Sequence, residues 1–172
     1  NYRLSLDNAI VDAGAHVGDS TPGLAVLSAS ATPGSDWGPP LRVDRMTCFG
    51  RMRVESATGR GGIWTHALQV HDDQSGCIRF SYFSATGNRL PSNFACVSGH
   101  QALLRFDGDC FGQPTYGQLD RVCDSRILEQ GPENDEMGAY GFLLTSHKWK
   151  NMQIRFREFM PVGIRPVIIT LT

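Results

Sequence analysis

The sequence predicts a mainly β fold: a short parallel β-helix or related solenoid, closed by a C-terminal helix and strand. Apolar and polar residues alternate with a period of two through residues 41–83, which places one set of side chains on a buried face. Glycines interrupt this stretch often enough to leave only short strands. The segment Cys48–Val54 also echoes Trp64–Val70 at an offset of sixteen residues. Short strands at near-constant spacing are typical of solenoids, but an antiparallel β-sandwich has similar turn spacing and stays open as the alternative.

Length and composition suit one globular domain, or one domain with an appended half. The 172 residues include 41% hydrophobic and 19% charged residues, with 19 glycines and 9 prolines that indicate many turns. A formal net charge of −1 gives no electrostatic sign of a nucleic acid partner. No apolar run approaches the roughly twenty residues of a membrane span. The chain opens on a strand-like segment without a signal peptide, so we expect it to be a piece of a longer protein.

Residues 1–83 are predicted to form the β-helix-like strand region. Within it, residues 32–40 form a loop, because prolines remove backbone donors and glycines supply positive φ. The strands are predicted at residues 4–11, 24–28, 41–48, 51–55, 63–71 and 77–83.

Residues 84–131 are predicted to be a loop-rich continuation with one strand, Ala102–Phe106. The segment FDGDCFG at residues 106–112 is acidic and contains glycine, which suggests calcium. It lacks the spaced oxygen ligands and the final bidentate glutamate of an EF-hand loop, so a tight turn is predicted instead.

Residues 132–172 are predicted to form a helical cap and a terminal strand. Asn134 suits a helix N-cap, and Asp135 and Glu136 would then be first-turn acids near the positive end of the helix. Apolar residues follow at helical spacing as far as Phe159, ahead of helix-breaking proline and glycine. This helix is expected to cover the apolar end of the last coil. The last strand is predicted at Pro166–Leu171.

The five cysteines divide into two groups. Cys48 and Cys77 lie in strand patterns and are interpreted as small buried apolar residues. Cys96, Cys110 and Cys123 lie in the loop-rich middle, where a disulfide would form only in an oxidising compartment. The odd count argues against a complete disulfide framework.

No catalytic, cofactor-binding or metal-binding residue is assigned from the sequence. A zinc site drawn from Cys96, His100, Cys110 and Cys123 lacks the closely paired ligands that make a zinc pattern specific.

A cysteine nucleophile is a second hypothesis, in which Cys77 would act with His66 or His71. Such pairs are defined by proximity in space rather than by sequence, and both histidines are interpreted instead as exposed strand positions.

Acidic and aromatic residues give a third set of candidates. β-Helices that cleave acidic polysaccharides use clustered acids and basic residues on one face. Acids occur here in two turns and arginines at outward strand positions, where they are usually solvated: Asp72, Asp73, Asp107, Asp109, Arg51, Arg53 and Arg79. Trp37, in a Gly/Pro loop, is a candidate to stack on a sugar or a partner, although packing against its own domain is more common. Trp64 and Trp149 are interpreted as core or edge-of-core residues.

Three stretches, residues 76–96, 114–143 and 151–172, resemble the C-terminal part of large uncharacterised bacterial proteins, some of them associated with phage-tail-like contractile injection systems. The most specific pieces are Cys77–Tyr82, the pair Tyr116 and Cys123, and Asp135–Tyr140. The resemblance implies a β-helix-like region followed by a small helical cap. It implies a structural or adhesive component and supplies no catalytic residues.

The predicted function is a non-enzymatic structural or surface-recognition module of a larger bacterial or phage-tail-like assembly. Protein partners are expected, with a homo-oligomer as one option, and no cofactor and no nucleic acid. The alternative is a carbohydrate-binding or polysaccharide-cleaving β-helix protein, whose partner would be a glycan. The location stays open between a particle assembled in the bacterial cytoplasm and the cell exterior.

Overall fold

The computed structural model describes residues 2–26 and 37–164, and the strand predicted at Pro166–Leu171 lies outside this part of the chain. The protein is mainly β, with parallel strands in two sheets and a C-terminal helix. In chain order the strands are β1 Leu4–Asp12, β2 Leu24–Val26, β3 Leu41–Phe49, β4 Arg51–Val54, β5 Ala57–Trp64, β6 Leu68–Val70, β7 Cys77–Arg79, β8 Tyr82–Phe83, β9 Ser92–Phe94 and β10 Val97–Ser98. The helices are α1 Ser125–Glu129, a 3-10 turn at Gly141–Leu143, and α2 Thr145–Phe159.

From β1 to β7 the chain alternates between the two sheets, and β8 to β10 then stay in the larger one. β2, β4 and β6 form the smaller sheet, and the other strands form the larger one, in which β1, β3, β5, β7 and β9 are successive neighbours. Every pair of these strands is parallel. The antiparallel sandwich is therefore wrong: all of these neighbouring strands run in the same direction, whereas hairpin-connected neighbours would be antiparallel.

The sixteen-residue repeat is confirmed by the strand register. Cys48 pairs with Trp64 across β3 and β5. Met52 pairs with Leu68, and Val54 with Val70, across β4 and β6. Each of these partners is sixteen positions further along the chain, so one repeat of sequence corresponds to one step across both sheets.

Strand bounds agree with the prediction where the alternation is strong and differ elsewhere. Residues 41–48 and 51–55 correspond closely to β3 and β4. The single strand predicted at 63–71 is wrong, because β5 ends at Trp64 and the chain turns before β6. The strand predicted at 77–83 is divided at Phe80, whose φ of +49° breaks the extended backbone.

The glycine-rich start of β5 has the composition of a turn, but it is a strand. Gly59 pairs with Val43 in the neighbouring strand and has φ +154°. A Cβ built at Gly59 would lie 2.1 Å from the carbonyl oxygen of Val43. The glycine is needed because a side chain here would collide with the backbone of the adjacent strand.

Two apolar clusters lie on opposite faces of the larger sheet. The first fills the space between the sheets, where the fully buried Trp64 stacks on Phe83 with ring centroids 5.0 Å apart. The indole N–H of Trp64 points to the sulfur of Met52 at 3.4 Å. The second cluster includes Ile63 and Ile127 of α1, so residues 102–137 form a further layer over the sheet. The core assignment of Trp64 is confirmed.

The strand predicted at Ala102–Phe106 is wrong. This segment forms only a single antiparallel bridge between Phe106 and Leu119. Its buried apolar residues lie in the layer that covers the larger sheet. They occur at every second position because of this packing, which gives the segment the same apolar alternation as a strand.

The C-terminal helix exists and ends at Phe159 as predicted, but it begins only at Thr145. Asp135 and Glu136 are therefore not first-turn acids, and both are buried in the segment before the helix. No residue of α2 is buried. Within the described chain, α2 therefore does not cover the end of the last coil, contrary to the prediction. No helix in residues 2–26 or 37–164 is both long and apolar enough to cross a bilayer.

Candidate functional site

A buried ion pair fixes the segment that precedes α2 against the larger sheet. Arg45, in the middle of β3, donates through Nη2 to Asp135 Oδ2 at 3.2 Å and lies 3.1 Å from Glu133 Oε1. The backbone N–H of Ala139 donates to the hydroxyl of Thr47 at 3.0 Å. These bonds determine where Glu136, between them, is held.

Glu136 lies on one wall of a cleft of about 520 Å³. The cleft is lined by Asp107, residues 118–121, the end of α1, residues of the segment 136–146, and α2 as far as Gln153. Its carboxylates come from separate parts of the chain: Asp107, Asp120, Glu129 and Glu136. The fold thus brings together acids that are far apart in sequence.

Two of these carboxyl groups have raised pKa values. Burial, followed by the charge of neighbouring Asp135, raises the pKa of Glu136 to about 7. Burial and the charge of Asp120 also raise the pKa of Asp107, against the opposing effect of two arginines. With a pKa of about 7, the Glu136 carboxyl can hold a proton near neutral pH and act as a hydrogen-bond donor or as a general acid.

The opposite wall of the cleft is aromatic and basic. The guanidinium of Arg121 lies 3.2 Å from the ring centroid of Trp149, in a cation–π contact. Lys150 Nζ lies 2.8 Å from Glu129 Oε2 and ties α2 to α1. Trp149 is half-buried, which agrees with an edge-of-core residue and not with a core one. The cleft therefore offers an aromatic edge together with charged donors and acceptors.

A second concave surface of about 710 Å³ crosses the first strands of the larger sheet. It is lined by four arginines, Arg3, Arg42, Arg60 and Arg79, from successive strands or their ends. Asp44 binds the Arg60 guanidinium at 3.1 Å and offsets part of the positive charge. We call this surface the arginine groove, and its charge suits an anionic ligand.

The outer surface of α2 is apolar and basic. Met152, Phe156 and Phe159 lie at i, i+4 and i+7, so they share one side of the helix, and Phe159 is 85% exposed. We call these three residues the apolar stripe. Four basic residues and one acidic residue lie in the same helix: Lys148, Lys150, Arg155, Arg157 and Glu158.

The cysteines of the hypothetical zinc set do not converge. The thiol of Cys123 donates to the backbone carbonyl of Arg105 at 2.9 Å. The thiol of Cys96 donates to the backbone carbonyl of Phe94, two residues before it. Cys110 instead lies beside His16. All five cysteines are free thiols, and Cys48 is fully buried as predicted, whereas Cys77 is only half-buried.

The hypothetical cysteine–histidine pairs are replaced by other contacts. His66 bonds to Thr65 at 2.9 Å and is buried, so its interpretation as an exposed strand position is wrong. His71 is exposed as predicted and bonds to Glu55 at 3.0 Å.

The two predicted acidic turns do not form one cluster. Asp73 pairs with Arg89 at 3.3 Å. Asp107 lines the cleft, whereas Asp109 faces His16.

Trp37 packs against its own domain, as loop tryptophans more commonly do. It stacks on His71 at 5.0 Å between ring centroids, and the Arg53 guanidinium lies over its ring. Arg51 and Arg79 are exposed, as expected of outward strand positions.

Sequence reasoning missed Glu136, Asp120 and His16 as site residues. Glu136 follows an asparagine and another acid, which is the pattern of a helix start, so its local sequence pointed to another role. Nothing near His16 in the sequence indicates its neighbours, because they are more than ninety positions away.

Comparisons of the chain with protein-family models, curated proteins and solved structures found no match in any of the three. The geometry of the described residues is therefore the basis for a functional proposal.

Proposed function

We propose that the chain is a structural or surface-recognition module of a larger bacterial or phage-tail-like assembly, and that its two-sheet region is a short parallel β-helix. The alternation of the chain between two parallel sheets at a sixteen-residue register supports the β-helix. The assembly function rests on one observation: α2 is fifteen residues long and none of its residues is buried.

The apolar stripe supports a docking role. A helix of a monomeric protein normally buries its apolar side, because packing of that side supplies most of its stability. Phe156 and Phe159 remain exposed in the described chain, and the apolar character continues beyond α2 at Val162 and Ile164. Exposed apolar patches of this kind mark interaction surfaces.

The charge of α2 indicates the partner's chemistry. Basic residues flank the apolar stripe, so a complementary partner is a protein with an apolar groove and an acidic rim. Two α2 helices packed on each other would bring like charges together, which disfavours a dimer formed through this helix.

The test is the mass of the native complex of the full-length protein, by light scattering and native mass spectrometry. We expect an assembly of fixed stoichiometry that is lost in the double variant Phe156→Ser, Phe159→Ser. Leu103→Ser is the matched control, because Leu103 is also exposed but lies far from α2 in the sequence. A native protein that carries no co-purifying partner at any concentration, or equal losses in both variants, would contradict docking through α2. Binding of the wild type to anionic vesicles alone would also contradict a protein partner.

Glycan binding or cleavage is the second candidate, and the cleft favours it. Glu136, which keeps its proton near neutrality, would act as general acid, and Asp107 or Asp120 would act as base or nucleophile. Trp149 offers an apolar surface for a sugar ring. The separate arginine groove suits a carboxylated polysaccharide.

A glycan screen that measures both binding and release of reducing ends tests this candidate. Glu136→Gln should abolish cleavage and preserve binding, whereas Glu158→Gln, on exposed α2, should change neither. If no glycan binds, or if cleavage survives in Glu136→Gln, the cleft has no such activity.

A further inference from the structure

Three potential metal ligands meet on the surface where two distant loops touch. His16 follows β1, and Asp109 and Cys110 lie in the loop that precedes Tyr116. One ligand atom from each of the three side chains lies within 4.8 Å of the others, and within the described residues this is the only such group of histidine, cysteine and acidic side chains.

The spacing of these atoms matches a tetrahedral metal site. His16 Nδ1 lies 3.5 Å from Asp109 Oδ2 and 3.7 Å from Cys110 Sγ, and that sulfur lies 3.7 Å from Asp109 Oδ1. Zinc binds nitrogen and oxygen at about 2.0–2.2 Å and sulfur at about 2.3 Å, so ligands at a tetrahedral angle lie about 3.3–3.6 Å apart. Because His16 and Cys110 approach different oxygens of Asp109, one ion would require a rotation of the Asp109 carboxylate and small shifts of the other two side chains.

Other bonds hold the two loops in place. The backbone N–H of His16 donates to Asp19 Oδ2 at 2.7 Å, which fixes the loop after β1. The hydroxyl of Tyr116 donates to Asp12 Oδ2 at 2.6 Å and so joins the second loop to the end of β1. Because these bonds do not use the three ligand atoms, the site is assembled before an ion binds.

We propose that His16, Asp109 and Cys110 bind one zinc-like divalent transition-metal ion. Imidazole and thiolate ligands favour zinc and cobalt, whereas magnesium and calcium require oxygen ligands. The side chains of His16 and Asp109 are 52% and 36% exposed, so the fourth position is open to water or to an external ligand. This site is independent of the cleft and of α2.

The ion would cross-link two loops that are more than ninety residues apart. A ligand that binds the folded state alone stabilises it in proportion to the logarithm of its concentration over its dissociation constant. Zinc should therefore raise the melting temperature of the protein.

Cobalt titration of the full chain, with the thiols kept reduced, tests the site. We expect one Co²⁺ per chain, with the near-ultraviolet band of a thiolate–cobalt bond and the visible bands of tetrahedral cobalt, and displacement by Zn²⁺. Cys110→Ser should lose the thiolate band. His16→Gln and Asp109→Asn should each weaken cobalt binding at least about tenfold.

Two control variants separate this site from other thiols and imidazoles. Cys96→Ser and His100→Gln remove residues of the same types elsewhere in the fold and should bind cobalt as the wild type does. The absence of a thiolate band in the wild type, or its persistence in Cys110→Ser, would overturn the proposal. So would a zinc-dependent rise in melting temperature that is equal in the wild type and in His16→Gln.

Discussion

Arg45 Nη2 and Asp135 Oδ2 lie 3.2 Å apart, although the two residues are separated by ninety positions in the chain. Asp135 is fully buried and Arg45 almost so. Glu133 lies at a similar distance from the same guanidinium but is largely exposed. The Asp135 carboxylate is therefore the buried partner on which the attachment of this segment to β3 depends.

Asp135→Asn should lower the free energy of unfolding by about 3 kcal/mol, because it removes the buried charge partner of the Arg45 guanidinium and leaves only the more exposed carboxylates of Glu133 and Asp44. Urea denaturation measures the effect. Asp73→Asn is the matched control, since it breaks an exposed pair with Arg89 and should cost less than about 1 kcal/mol. Equal losses of unfolding free energy in the two variants would show that the buried pair stabilises the fold no more than the exposed one.

The sequence was informative where burial alternates along a strand. Met52 and Val54 are buried and alternate with the less buried Arg51 and Arg53, so the period of two was visible. The sixteen-residue echo was visible because Met52 and Val54 pair with similar residues, Leu68 and Val70. Strand packing of this kind produces a pattern among residues that are close together in the sequence.

No such local sequence pattern predicts the candidate sites. The cleft is lined by Asp107, Glu136 and Trp149, which no local pattern connects. Asp135 lies in an acidic pair that locally resembles a helix start, but its buried carboxylate bonds to Arg45, ninety positions away. Long-range contacts of this type are not encoded in periodicity.

Trp64→Ala should lower the free energy of unfolding by about 3–5 kcal/mol. The substitution removes a fully buried ring that stacks on Phe83 and leaves a cavity between the sheets. Trp149→Ala removes the same group from a half-buried position at the cleft and should cost clearly less. Chemical denaturation of both variants measures the difference. A larger loss of unfolding free energy in Trp149→Ala than in Trp64→Ala would contradict this core assignment.

Gly59→Ala should also destabilise the protein strongly, by more than about 2 kcal/mol, because the new methyl group would meet the backbone of Val43. Gly112→Ala is the matched control: Gly112 also has positive φ, at +94°, but a Cβ built there would have nothing within 4 Å. Its cost should be limited to backbone strain of about 1 kcal/mol. Thermal melting and urea denaturation measure the difference, and similar costs would mean that β3 and β5 can separate at this point.

The raised pKa of Glu136 makes stability depend on pH. Its pKa is about 7 in the folded protein and near 4.5 in a free side chain. Between these values the folded state holds a proton that the unfolded state has released. The stabilisation is therefore complete below about pH 4.5 and is lost as the pH rises through about 7, with a total change on the order of 3 kcal/mol.

Glu136→Gln should remove this loss, because glutamine is neutral at every pH and occupies the same volume. We expect the variant to match the wild type near pH 4 and to be more stable near pH 8. Urea denaturation at several pH values between these limits measures both curves. Glu158→Gln makes the same change on exposed α2 and should leave the wild-type curve intact. If Glu136→Gln kept that curve as well, the Glu136 carboxyl would be ionised in the folded protein and unsuited to act as a proton donor in the cleft.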